Sequence, residues 1–365
     1  MNKKADKKAN KKDYHEVNLL VRWSLTVGVV FFAVFVYFIW IVEFDIFRNP
    51  SIITDIHLRH GLLLIAFFLA IEVVHCLNIL LAKYINRGYQ SRFHHLTHTN
   101  NYVESRERSF FAEKKYEHVV LLLHGYSGSP QEFEFLIPYL KANNINYYIP
   151  ALTGFGLDNT EVLRGTKRQD WYRACLGTYD YLSKIADRVS IVGQSMGGVL
   201  AAYVAANRPV HQLILTAPGF YNIDMNLKHK VLLTTPIISS LYILLIPYLP
   251  KPIRKERGYV GDTLDPEVAK QMFHYLTVPV SSLREVFYMQ NEARLDRMNY
   301  HNLNVIYGQH ESTVSIERLL KSLEVQCVKH RAHCLPNSAH NVMQDLDRDD
   351  GCQLVVDILL GKCDY

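Results

Sequence analysis

Gly193-Gln194-Ser195-Met196-Gly197 stands between the apolar run Val189–Val192 and the small-residue stretch Gly198–Ala206. The apolar run reads as a buried strand, and the stretch after it as a helix. A tight turn joins the two, and glycines two residues either side of Ser195 let strand and helix approach without Cβ clashes. Such a turn holds a hydroxyl clear of the backbone, which makes Ser195 a candidate nucleophile. The pentapeptide alone occurs by chance in many proteins, so its context decides its meaning.

From about Tyr116 onward, short apolar runs alternate with amphipathic stretches. Val119–Leu123, Tyr147–Ala151, Val189–Val192, Leu213–Thr216 and Val305–Tyr307 are candidate buried strands. Strand-helix alternation with right-handed crossovers predicts an α/β fold, with a mostly parallel central sheet and helices on both faces. Functional loops belong at the carboxyl ends of such strands. Ser195 follows one directly, as do His124-Gly125-Tyr126 and Gly308-Gln309-His310-Glu311.

Taken in order, HGYSG, GQSMGG, GQHESTV and NSAH resemble the α/β-hydrolase family, and more narrowly its monoacylglycerol-lipase and carboxylesterase branch. The resemblance covers roughly Glu113 to Leu360. It implies the order serine, acid, histidine, with the acid in a G-x-x-D-x-x-V loop that matches Gly308, Glu311 and Val314. Glu311 takes the acid role on that match, and His340, after Ser338-Ala339, takes the base role. Glutamate stands where aspartate is usual, Gln194 where histidine is common, and Ala339 where glycine is frequent.

The chemistry needs these residue types. A serine hydroxyl is protonated at neutral pH, so an imidazole, here His340, must accept its proton during attack and return it to the leaving group. A carboxylate on the other ring nitrogen, here Glu311, fixes the tautomer and stabilises the imidazolium. The oxyanion needs donors that do not titrate, and the backbone N–H groups of Tyr126 and Met196 are the candidates. His310 is a rival base that shares a loop with the acid, and Asp296 is a rival acid in a helical stretch before the last acid-bearing strand. His124, after an apolar strand, reads as a loop-shaping residue.

Trp23–Val42 holds no charge and is long enough to span a hydrocarbon core of ~30 Å. Gly61–Ala82 is nearly as apolar, interrupted by a few polar residues including Glu72 and His75, which are expected to satisfy each other or to face the first span. Lys3, Lys4, Lys7, Lys8, Lys11, Lys12 and Arg22 precede the first span and Lys83, Arg87 and Arg92 follow the second, against Arg48 and Arg59 between them. Both chain ends are therefore expected in the cytoplasm. The net charge of +5 is concentrated before the first span. The near-neutral remainder argues against nucleic acid as a partner.

About eighty residues separate the strand ending near Pro218 from the one beginning near Asn304, too many for an ordinary connection. Val231–Pro250 is apolar enough to suggest a third span, but Pro236, Pro247 and Pro250 break it, and a third span would put Ser195 and His340 on opposite sides of the membrane. It reads as an apolar lid. The six cysteines show no zinc-ligand spacing and read as free thiols, and His94, His95 and His98 read as linker.

The expected organisation is a basic cytoplasmic N-terminus at 1–18, a transmembrane helical hairpin at 19–82, a linker at 83–112 and an α/β-hydrolase domain at 113–365 with a lid insertion at 221–300. The expected function is that of a membrane-anchored serine ester hydrolase on monoacylglycerol, lysophospholipid or similar lipid esters, with no cofactor and no metal. An acyltransferase using the same acyl-enzyme and a non-catalytic hydrolase-like binding module are the alternatives.

Overall fold

Strand β2 (Tyr116–Leu123) buries five consecutive apolar residues, because both of its faces are covered. Val119, Leu121 and Leu123 point into one core, and Val120 and Leu122 into the other. The computed structural model describes residues 53–90, 107–108, 115–157, 160–222, 227–251 and 262–363.

The main sheet has seven strands in the order β1-β3-β2-β4-β5-β8-β9. They are β1 (Glu107–Arg108), β2, β3 (Asn146–Ile149), β4 (Ala186–Gln194), β5 (Val210–Thr216), β8 (Tyr300–Gly308) and β9 (Arg331–Leu335). All pairings are parallel except that of β1 with β3. Four of the five apolar runs fall wholly in these strands, and Tyr147–Ala151 runs two residues past the end of β3. The expected α/β-hydrolase fold with a mostly parallel sheet is what the chain adopts.

Helices α4 (Arg168–Ile185) and α5 (Met196–Ala205) cover one face through Trp171, Cys175, Val199 and Leu200. Helices α2 (Leu136–Ala142) and α11 (Arg348–Leu359) cover the other through Leu136, Leu140, Val355 and Leu359. From β2 the chain first adds β3 on one side and then β4 on the other. The strand order thus reverses beside β2 and β4, and a crevice opens outside their carboxyl ends. His124-Gly125-Tyr126 and Ser195 stand at that crevice.

Between β5 and β8 lies an insertion of α6 (Leu227–Thr234), α7 (Pro236–Leu245), the antiparallel strands β6 (Tyr248–Pro250) and β7 (Thr277–Pro279), α8 (Pro266–Gln271) and α9 (Val280–Glu292). Short α3 (Glu161–Gly165) lies before α4, and α10 (Ile316–Val325) lies between β8 and β9. Pro236 occupies the first turn of α7, and that helix spans only 10 residues, too short to cross a membrane.

The expected first span, Trp23–Val42, lies outside the described residues. The second falls within α1 (Ile53–Gln90), and the helix runs on past position 82, where the hairpin was expected to end. Its Ile65–Asn86 segment has a mean hydropathy of 2.2, long and apolar enough to cross a membrane. Among the described residues it is the one helix that meets this test. His75 bonds to the carbonyl of Leu244 on α7 at 2.6 Å. Arg164 donates to its other ring nitrogen at 3.2 Å.

Candidate active site

Ser195 sits alone between the end of β4 and the start of α5 with φ 52° and ψ −115°, a left-handed conformation costly for a residue with a Cβ. The flanking glycines make the turn possible. A Cβ on Gly197 would lie 2.0 Å from the carbonyl oxygen of Leu123, and one on Gly193 would lie 2.4 Å from that of Gly197. Strand β2 and helix α5 therefore touch backbone to backbone, which lifts the serine above the sheet.

His340 Nε2 lies 2.8 Å from Ser195 Oγ, and its Nδ1 lies 2.7 Å from Glu311 Oε2. Serine thus donates to the ring and the ring donates to the carboxylate. The side chains of His340 and Glu311 are each only 5% exposed. Glu311 leaves β8 one turn beyond Gly308, and its other oxygen accepts the backbone N–H groups of Thr313 at 2.6 Å and Val314 at 3.1 Å. These bonds orient the carboxylate, and the longer glutamate side chain spans the gap from its loop to the imidazole. Burial opposes the charged form of His340, but the Glu311 carboxylate wins and holds its pKa above the ordinary histidine value.

The loop carrying His340 is tied down by two acids. Asp345 accepts the backbone N–H of Ala339 at 2.7 Å, and Asp347 accepts that of Asn337 at 2.6 Å. Gln194 fixes it from the other side. Its side-chain N–H2 donates to the carbonyl of His340 at 2.9 Å, while its oxygen accepts from Thr216 Oγ1 at 2.6 Å. Gln194 looked from sequence like a bare departure from the family pattern. The structure gives it a tertiary role that no local signal announces.

The His310 side chain is exposed, and Asp296 pairs with Arg294 on the surface at 3.1 Å. His124 is fully buried, donates to the carbonyl of Gly125 at 2.9 Å and accepts from the N–H of Leu152 at 3.1 Å. Burial pushes its pKa down to about 4, so it is a neutral loop-shaping residue. His94, His95 and His98 lie outside the described residues.

Ser195, His340, Tyr126 and Met196 line one cavity of about 400 Å³. Leu233, Leu249, Val278, Leu283, Val286 and Phe287 give it an apolar wall drawn from the insertion. Glu132 also lines it, a residue that sequence reasoning passed over. Its carboxyl accepts the N–H of Gly125 at 2.7 Å, and burial pushes its pKa up to about 7. A Cβ on Gly128 would lie 1.8 Å from Glu132 Oε1, so this glycine makes room for the acid under the loop.

The model of the alpha/beta hydrolase family matches residues 120–353. A carboxylesterase of Bacillus subtilis (strain 168) is 21% identical over 243 residues, 66% of this chain and 91% of that enzyme. A thermostable monoacylglycerol lipase of Bacillus sp. (strain H-257) is 30% identical over 90 residues, 25% of this chain and 36% of that enzyme. Among solved structures, the monoacylglycerol lipase of Paleococcus ferrophilus superposes with a TM-score of 0.56 at 14% identity, over 70% of this chain and 98% of that one. That last likeness is one of fold.

Proposed function

Because the chain belongs to the alpha/beta hydrolase family, we propose that it is a membrane-anchored serine ester hydrolase that cleaves hydrophobic carboxylic esters through an acyl-enzyme on Ser195. The observation that carries this reading is the hydrogen-bonded series from Ser195 through His340 to Glu311, at 2.8 and 2.7 Å, beside an apolar cavity.

In the first half-reaction, Ser195 Oγ attacks the ester carbonyl carbon as its proton passes to His340 Nε2. The Glu311 carboxylate stabilises the imidazolium across Nδ1. The backbone N–H groups of Tyr126 and Met196 receive the oxyanion, each contributing about 3 kcal/mol to the transition state. Collapse breaks the bond to the leaving oxygen, which takes the proton from His340 and departs as the alcohol. Water then attacks the acyl-enzyme with His340 again as base, and the carboxylic acid leaves with Ser195 restored.

The apolar wall favours an acyl chain in the cavity, which points to monoacylglycerol, lysophospholipid or a similar single-chain lipid ester. The names of the carboxylesterase and monoacylglycerol lipase relatives support the same class. Anchoring rests on the Ile65–Asn86 segment of α1 and on the uncharged Trp23–Val42 run, with the flanking Lys and Arg placing the catalytic domain in the cytoplasm.

The test is hydrolysis of an ester series, short acyl through long acyl and monoacylglycerol, by detergent-solubilised full-length protein with Ser195→Ala as control. Turnover that rises with chain length and vanishes in the mutant is the expected result. Full turnover in Ser195→Ala overturns the proposal.

A further inference from the structure

Helix α1 is more than a tether, because one of its faces is built into the insertion. Asn86 is buried, and its side-chain oxygen accepts the N–H groups of Leu276 and Thr277, each at 3.0 Å. Its nitrogen donates to Thr277 Oγ1 at 2.6 Å. Two turns earlier, buried Asn78 accepts the N–H of Tyr248 at 2.9 Å and donates to its carbonyl at 3.4 Å. One more turn back, His75 donates to the last turn of α7 at Leu244. Side-chain amides on α1 thus satisfy backbone groups of β6 and β7, the strands that supply Leu249 and Val278 to the cavity wall.

These contacts run from His75 to Asn86, about 16 Å along the helix axis. They lie in the C-terminal half of the apolar segment Ile65–Asn86, the half nearer the cytoplasm on the proposed topology. If that segment crosses a bilayer, whatever is fastened along this half shares its depth. The opposite face of α1 exposes Phe68, Leu69, Val73, Leu77 and Leu80, with the carboxylate of Glu72 exposed among them. Helix α7, packed against α1, carries no charged residue and exposes Ile237, Ile238, Leu241, Leu244 and Leu245. Its inner residues Tyr242 and Ile243 are already engaged with Val280, Leu283 and Phe287. So many large apolar side chains exposed on two adjoining helices demand a cover.

We infer that this cover is the bilayer: α7 is seated among the acyl chains of the cytoplasmic leaflet beside α1, so that the insertion and its cavity wall rest in the membrane. The inference rests on the anchored reading above. Arg164 meets His75 in a part-buried contact, and Lys83 pairs with Glu161 at 3.0 Å near the end of the apolar segment, where both side chains are half-exposed. A surface of this kind binds in proportion to its buried apolar area, and uncharged α7 needs no anionic headgroup to hold it.

The test places a photoreactive amino acid in the full-length protein, reconstituted in phosphatidylcholine vesicles, at one of three exposed positions. Leu69 reports whether α1 is anchored, Leu241 reports whether α7 is immersed, and Val325 on α10 is the control. Lipid adducts at Leu69 and Leu241, several-fold above Val325, are the expected result. An adduct at Leu69 with none at Leu241 overturns the inference and leaves the anchored reading standing. No adduct at Leu69 removes both, and equal capture at all three positions also contradicts the inference.

Discussion

Gln194 holds the backbone carbonyl of His340 at 2.9 Å, while its neighbour Ser195 donates to the ring of the same histidine at 2.8 Å. Two consecutive residues where β4 ends therefore fix both the backbone and the ring nitrogen of the proposed base. Replacing Gln194 with Ala would leave the His340 carbonyl without its side-chain donor and the Thr216 hydroxyl with only the Gly193 carbonyl at 3.3 Å, in a buried site. Gln194→Ala is expected to cost about 1–3 kcal/mol of stability in chemical denaturation. Because the histidine loosens but the apolar cavity remains, kcat should fall while KM changes little.

As the proposed base, His340 must be neutral to accept the proton of Ser195. Burial alone would lower its pKa, but Glu311 holds it above 6.5. The pH profile of kcat/KM should therefore rise to a midpoint above 6.5. Glu311→Gln removes the charge that raises the pKa, so the midpoint should move down and the plateau should fall by about 10³–10⁴-fold. A profile that keeps its midpoint in Glu311→Gln would show that the carboxylate does not govern the base. The stability sign is opposite: the raised His340 pKa adds stability that is fully present below 6.5 and is lost as pH rises through the folded value.

Glu132 makes a separate pH prediction. Its folded pKa of about 7 lies above the ordinary 4.5, so its contribution to stability is complete below 4.5 and declines as pH rises to about 7. Glu132→Gln keeps an oxygen to accept the Gly125 N–H and removes the titration. Relative to the parent, the variant should gain up to roughly 3 kcal/mol between acid and mildly alkaline pH, read from denaturant midpoints. An unchanged difference across that range would mean that Glu132 titrates elsewhere.

Asn86→Leu tests the attachment of α1 to the cavity wall. It leaves the N–H groups of Leu276 and Thr277 without their acceptor in a buried place. The thermal unfolding temperature of the detergent-solubilised protein should drop, by an amount equivalent to at least about 2 kcal/mol. Because β7 supplies Val278 to the cavity, long-chain ester turnover should fall more than short-chain turnover.

The parts of this molecule written in local pattern were legible from the sequence. Glycines at 193 and 197 mark a turn with room for nothing larger, and five apolar runs mark strands buried on both faces. Ser195, Glu311 and His340 come together as their order implied. Strand β9 was hidden because Arg331–Leu335 is short, buries only Leu335 and pairs only with β8 at the sheet edge. Gln194 and Glu132 were hidden for another reason: each acts on backbone groups brought near only by the fold. Hydropathy likewise registered α1 as an apolar stretch and missed that Asn78 and Asn86 turn one face of it toward β6 and β7.

The central claim is that Ser195 forms a covalent acyl-enzyme, and trapping that species tests it most directly. The full-length protein would be mixed with a long-chain ester, quenched with acid within one turnover and digested for peptide mass spectrometry. The expected result is an acyl mass on the peptide containing Ser195, absent from Ser195→Ala and lost on chase with buffer as the free acid appears. Ester turnover with no adduct on that peptide, and undiminished in Ser195→Ala, would contradict it.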